Sequence, residues 1–218
     1  MKRSILFLAL VLVAVSLFAQ VPLPEHQFAA GQWNWIGSRL YQNDANARLA
    51  KLNLRAAQSG PMIYEFNVRY ENGLQDGHGG LGLHLFVDNA LNAPSWGAGR
   101  SILLWLNYDE NPVSPGFPRG FTAQVYRSFN NSYMELLESF DLNWALDFLT
   151  WDDLNYLVPV RIWANGDTGE VRVFDPTDPF MSFYWFFYIN QRLLPLRGNW
   201  VAFRTNGIGL SIGEGLGF

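Results

Sequence analysis

Side chains alternate between apolar and polar with a period of two through most of this chain, and few folds accept that pattern. Met62–Tyr70 sets Tyr64, Phe66, Val68 and Tyr70 against Glu65, Asn67 and Arg69. Leu81–Val87 sets Leu81, Leu83, Leu85 and Val87 against Gly82, His84 and Phe86. Ser101–Tyr108 sets Ile102, Leu104 and Leu106 against Ser101, Trp105 and Asn107, with Leu103 breaking the rule. Successive side chains of a strand point to opposite faces, so each segment predicts a strand with one apolar face. Further strands are expected at 48–55, 121–128, 158–164, 170–174, 182–189, 200–205 and 208–212. Asn-Gly-Asp-Thr-Gly at 165–169 predicts a hairpin connection, and Pro-rich loops at 111–118 and 175–179 separate other strands. One helical turn is expected at 150–156, where Thr150 can cap with Asp153 three residues on, while 133–148 fits strand or helix. Strands punctuated by Gly, Pro and Asn, with hardly any helix, make an all-β sandwich or barrel.

The first nineteen residues read as an export signal. Lys2 and Arg3 form a positive start, Ile5 to Phe18 is apolar apart from Ser16, and Ala19 precedes Gln20 at a small-residue cleavage point. The apolar run is short of the roughly 20 residues that span a membrane as a helix. Charges, Gly or Pro interrupt every later apolar run, so no membrane-spanning helix is expected in the mature chain. With no internal repeat or linker in view, residues 20–218 read as a single domain. The chain has no cysteine, which removes disulfides, thiolate metal sites, a lipid-modified cysteine and a cysteine nucleophile. Export without disulfides points to a bacterial periplasmic or secreted protein. Without Lys2 and Arg3 the formal charge moves from −4 to −6, and the remaining cations are Lys51 and twelve arginines without a basic block. Nucleic acid is therefore not expected as a partner.

If the apolar faces share one core, the opposite faces are expected to align on one sheet surface. That surface would carry Glu65, Asn67, Arg69, His84, Trp105, Asn107, Gln124, Tyr126, Arg161 and Trp163.

HGGLGLHLFVDN at 78–89, VPVRIWANGDTGEVRVFDP at 158–176 and GNWVAFRTNGIGLSIGEG at 198–215 resemble the concanavalin A-like lectin/glucanase jelly roll. The resemblance spans residues 30–215. It implies an antiparallel β-sandwich of two curved sheets, with ligand lying across a concave face. Aromatic rings stack on the apolar faces of sugars, while amides and arginines hydrogen-bond the hydroxyls. Carbohydrate is thus the expected partner, with Arg69, His84, Trp105, Asn107, Gln124, Tyr126, Arg161 and Trp163 as candidate ligand-binding residues. Trp96 and Arg100, in the Gly-flanked loop PSWGAGRS, are expected to add a rim contact. The glucanases of that family carry Glu-x-Asp-x-x-Glu on one strand. Here Met62–Tyr70 holds only Glu65, and Leu81–Val87 and Ser101–Asn107 hold no carboxylate. Glycosidases need two positioned carboxyl groups, so no catalytic residue is assigned and a non-catalytic module is expected.

Other motifs have plainer readings. Asp76 and His78 in a Gly-rich turn are weak cation ligands, Asp152–Asp153 suits a helix start, and Asp175 and Asp178 suit a Pro-bounded turn. With three histidines and no Gly-x-Ser-x-Gly, a serine triad has no support, and no metal or cofactor is assigned. The six aromatics Phe183–Tyr188 are expected to be buried under Pro-rich loops, a partner interface being the alternative. Two rival readings stay open. One is a structural or assembly protein of the bacterial envelope, with an envelope protein as partner. The other is a small outer-membrane β-barrel, suggested by the terminal Phe218 and the apolar alternation back through Leu216, although Glu214 falls on its lipid-facing register.

Overall fold

The computed structural model describes residues 25–73, 77–113, 116–143, 157–178, 180 and 184–213. The export segment, Asp76, the expected helical turn at 150–156 with Asp152–Asp153, and Phe218 lie outside the described residues.

Among the described residues, fourteen strands form two antiparallel sheets. They are β1 (His26–Ala30), β2 (Trp33–Ile36), β3 (Arg39–Gln42), β4 (Ala50–Gln58), β5 (Pro61–Gly73), β6 (His78–Val87) and β7 (Ser101–Asp109). β8 (Gly120–Ser128), β9 (Met134–Asp141), β10 (Val158–Asn165), β11 (Glu170–Phe174), β12 (Tyr184–Tyr188), β13 (Gly198–Asn206) and β14 (Ile208–Gly213) complete the set. The first sheet runs β1-β4-β13-β6-β7-β8-β9 and the second β12-β11-β10-β5-β14-β3-β2. This is the all-β antiparallel sandwich that the alternation and the resemblance predict. Among the described residues each sheet keeps two edges instead of closing on itself, which is a sandwich and not a barrel. No helix among the described residues is long and apolar enough to cross a membrane.

The inward faces supply one core, with Leu52, Phe66, Leu83, Leu104, Phe121, Ile162 and Ile208 buried in it. Phe66 of β5 meets Phe203 of β13 edge-on at 5.1 Å, and Phe140 of β9 meets Trp185 of β12 at 5.6 Å. These aromatic pairs tie one sheet to the other at separations typical of such contacts.

The local details correct the pattern in three places. Strands β1–β3 were not expected, because short segments such as WNWI and RLYQ carry too few alternations to register; 134–141 resolves as strand. At the end of β6 the register with β13 shifts between Trp200 and Ala202, and Phe86 adopts φ 56°. Its amide donates to Gln58 Oε1 at 2.8 Å. The bulge turns Phe86 into the core, while Val87 joins a small outer cluster with Ala98, Trp200 and Ala202. The third correction concerns β12, which is buried on one side only: Phe187 packs in the core, whereas Phe186 and Tyr188 are 51% and 61% exposed.

Candidate functional site

Sharing a core does not mean sharing an outer face. In a sandwich the two outward faces lie on opposite sides of the molecule, and β5 and β10 pair with each other in the second sheet. Arg69, Arg161 and Trp163, with Glu65 and Asn67, are therefore on the far side from His84, Trp105, Asn107, Gln124 and Tyr126. The expected single surface is two surfaces.

Register places the first sheet's outward residues in rows. One row runs Lys51–Arg204–Gly82–Trp105–Gln124–Ser139 across five strand pairings. The next runs Asn206–Gly80–Asn107–Thr122. Gly80 and Gly82 matter here because a Cβ at either would collide with the Trp105 indole. With no side chain at those two positions, that ring lies flat against β6, and only 7% of Trp105 is exposed. Its Nε1 donates to Asn107 Oδ1 at 3.1 Å, Tyr126 Oη donates to Gln124 Oε1 at 2.6 Å, and Gln124 Nε2 donates to Thr122 Oγ1 at 2.9 Å. Burial raises the Tyr126 hydroxyl above its ordinary pKa, so it stays protonated and able to donate.

The loop from Asp88 to Arg100 roofs one end of these rows. Lys51 Nζ donates to Ser95 O at 2.8 Å, Ser95 Oγ at 2.6 Å and Gly97 O at 2.5 Å. Gly97 and Gly99 donate from their amides to Asn131, and a Cβ at Gly97 would collide with the Asn130 carbonyl. Arg100 closes the loop on itself, its N and Nε donating to the Asp88 carboxylate at 2.7 and 2.6 Å; it does not line the site. Trp96 is the residue this loop presents, at 52% exposed. Its carbonyl accepts from Arg204 Nη1 at 2.5 Å, and the guanidinium carbon lies 4.4 Å from the centre of its ring and 5.5 Å from that of Trp105.

Between Trp96 and the segments 112–113 and 117–118 a cleft of about 340 Å³ opens. Trp96, Trp105, Asn107, Gln124, Tyr126 and Arg204 line it, with Pro112, Val113 and Phe117 opposite and His78 and Asp109 at one end. Asn206 Oδ1 is buried at the cleft without a hydrogen-bond partner. His84 does not reach this space. It is fully buried, its Nδ1 is 2.9 Å from Ser101 Oγ, and burial beside Arg204 and Lys51 holds its pKa well below the ordinary value. Burial lowers Lys51 to about 7 and Arg204 to about 10, so Arg204 is a cation at neutral pH.

The sequence reading missed Lys51, Arg204 and Asn206. Lys51 is the only lysine beyond the first nineteen residues and occupies an outward position in AKLNLR; Arg204 and Asn206 alternate outward in VAFRTN. Those were the available signals. Among the described residues no three His, Asp or Glu side chains cluster to hold a metal.

The architecture has known counterparts. The chain is similar to the CBM2 module of the evolved Dit of Lactobacillus casei BL23 phage J-1, with a TM-score of 0.51 and 10% identity over 84% of this chain and 77% of that one. Weaker likenesses include the Emp47p carbohydrate recognition domain, with a TM-score of 0.47 and 14% identity over 91% and 93% of the two chains. Another is the legume lectin-like domain from Entamoeba histolytica, at 0.49 and 8% identity over 87% and 85%. No protein-family model matches the chain, and no curated protein matches it in sequence. The fold is an antiparallel β-sandwich of two sheets, and at 10% identity the likeness to the CBM2 module is one of fold alone.

Proposed function

We propose that this chain is an exported, non-catalytic β-sandwich module that binds glycan in the cleft beside Trp96. The observation that carries this reading is the combination at the cleft mouth. A half-exposed indole is fixed by its own carbonyl to Arg204, beside Asn206 Oδ1, an acceptor with no partner, and the amide and phenol of Asn107 and Tyr126. A sugar ring offers an apolar face to such an indole and hydroxyls to such amides. In glycan arrays and affinity electrophoresis, Trp96→Ala is expected to weaken retention about tenfold or more, the size of one well-packed anchor. Trp163→Ala, on the opposite sheet, is expected to leave retention unchanged. Unaltered retention in a folded Trp96→Ala protein removes the cleft from consideration. Export rests on residues 1–19, and the intact mass of the protein from periplasm or medium should begin at Gln20. A cytoplasmic chain of full mass would count against it.

A second reading is favoured by the second sheet's outer face. Ile63, Phe186 and Tyr188 are more than half exposed there, alongside Trp163, and apolar exposure on that scale marks contact surfaces. The chain would then serve envelope assembly through a protein partner. Size-exclusion chromatography and cross-linking in native extracts test this, and a solitary species with an unmodified β12 argues against it.

A further inference from the structure

Three basic residues lie under the Asp88–Arg100 loop without a counter-charge among the described residues, and burial keeps one of them, His84, neutral. Among the described residues, none of Lys51, His84 and Arg204 forms an ion pair or hydrogen bond with a carboxylate. The partners of Lys51 are two carbonyls and a hydroxyl, that of His84 is the Ser101 hydroxyl, and that of Arg204 is one carbonyl. Arg204 is 3% exposed, its Nε is buried without a hydrogen-bond partner, and its Nη2 hydrogen-bonds to nothing among the described residues. A buried guanidinium ordinarily sits with a carboxylate or phosphate, because leaving water without a counter-charge is expensive. Of the acids on this face, Asp88 is engaged with Arg100, Asp109 lies 3.2 Å from His78, and Asp141, on the edge strand β9 opposite Thr122, accepts from Asn143. Asp109 sits at the far end of the cleft, two residues beyond Asn107 on β7 and away from the Arg204–Gly82 row. The field at the Arg204 end is thus positive in a chain of net negative charge, and a narrow low-dielectric cleft concentrates such a field.

We propose that the cleft selects an acidic glycan, whose anionic substituent, a carboxylate or a sulfate, is seated against the Arg204 guanidinium while Trp96 covers the ring that bears it. This rests on the reading of the cleft as a glycan site. Neutral sugars would satisfy the amides but leave the cation unanswered, whereas an anion completes the charge that the fold leaves open. Charge-assisted hydrogen bonds are roughly twice as strong as neutral ones, which sets the size of the discrimination expected.

The test compares oligogalacturonate with its carboxyl-reduced, neutral counterpart, and a sulfated galactan oligosaccharide with its desulfated form, by titration calorimetry on the purified chain. At least one charged member is expected to bind about tenfold or more tightly than its neutral partner, with the advantage shrinking as salt rises. The carboxylate and sulfate arms separate the two sources of charge. Arg204→Gln should abolish the preference, and Arg204→Lys should keep part of it. If Arg204→Gln fails to fold, the paired ligands and salt series on the unaltered chain still decide. Equal binding of charged and neutral members overturns the acidic preference and leaves the glycan reading standing. Binding of no member, together with a blank glycan array, overturns both.

Discussion

The two outer faces of this sandwich follow the same alternating code and reach opposite electrostatic outcomes. On the second sheet Arg69 pairs with Glu71, Arg161 with Glu65 and Arg172 with Glu170, while Arg39 donates to Asn67 and Ser211. Those pairs are part-exposed, and Arg172 also lies 5.1 Å above the Trp163 ring. On the first sheet Arg204 and Lys51 are buried under a loop without a carboxylate, answered by neutral oxygens and, for Arg204, by the rings of Trp96 and Trp105. Self-neutralised charge on a solvated face needs no visitor. Buried, uncompensated charge beside an open cleft is a standing demand for one. The difference lies in the roof: the Asp88–Arg100 loop, with Pro112, Val113, Phe117 and Pro118, converts one flat sheet face into an enclosure, and no such cover lies over Trp163 among the described residues.

The largest expected effect tests whether the two faces differ in packing as well as charge. Trp105 is buried against the glycines of β6, so Trp105→Ala should cost about 3–5 kcal/mol of stability through the cavity it leaves. Trp163→Ala, on the uncovered face, should cost under about 1 kcal/mol. Urea unfolding of both variants measures the gap, and equal losses would erase the contrast. The same burial makes Trp105→Ala a poor probe of binding, since stability and affinity would fall together, and Trp96 is the cleaner handle.

How far the sequence reveals this molecule is clearest at particular residues. Alternation in Met62–Tyr70, Leu81–Val87 and Ser101–Tyr108 was enough to assign strands and an inward face to each, because side-chain direction in a strand is a local property. Which sheet a strand joins is not local. Nothing in VPVRIWAN announces pairing with β5 in place of β7, so Arg161 and Trp163 could not be kept apart from Trp105 by pattern alone. Phe86 shows a second limit: one bulge reverses inside and outside for the residues after it, and its cause, an amide met by Gln58, is 28 residues away in sequence. The candidate site was legible in part. Trp96, Trp105, Asn107, Gln124 and Tyr126 do line one cleft, but its cation, Arg204, gained its meaning only from burial, which composition does not report.

The intermediate effect concerns pH. Burial together with Arg204 brings Lys51 to about 7 from its ordinary 10.5. Between those two values the unfolded chain holds a proton that the folded chain lacks, so stability rises with pH across that window and this contribution is flat below it. The slope is on the order of 1 kcal/mol per pH unit. His84 acts in the same direction lower down: its folded pKa lies well below 6.5, so stability is lost as pH falls through 6.5. Chemical denaturation from pH 5 to 10 should show both rises, and Lys51→Met should remove the upper one alone. An unchanged upper slope in Lys51→Met would mean that the lysine is solvated and that the first face resembles the second after all.

The smallest effect bears on the second face directly. Arg161 and Glu65 lie opposite each other on β10 and β5 in register, both about one-third exposed. Water screens such a pair, and ordering two long side chains offsets much of its Coulomb gain. A double-mutant cycle with Arg161→Ala and Glu65→Ala should therefore return a coupling of under about 1 kcal/mol, diminished further in high salt. Binding should not respond, because neither residue faces the cleft. Were the coupling instead several kcal/mol, the second face would be far less solvated than its exposure indicates. Its aromatic row of Tyr184, Phe186 and Tyr188 would then be covered in solution by another protein surface, and the assembly reading would gain what the cleft reading loses.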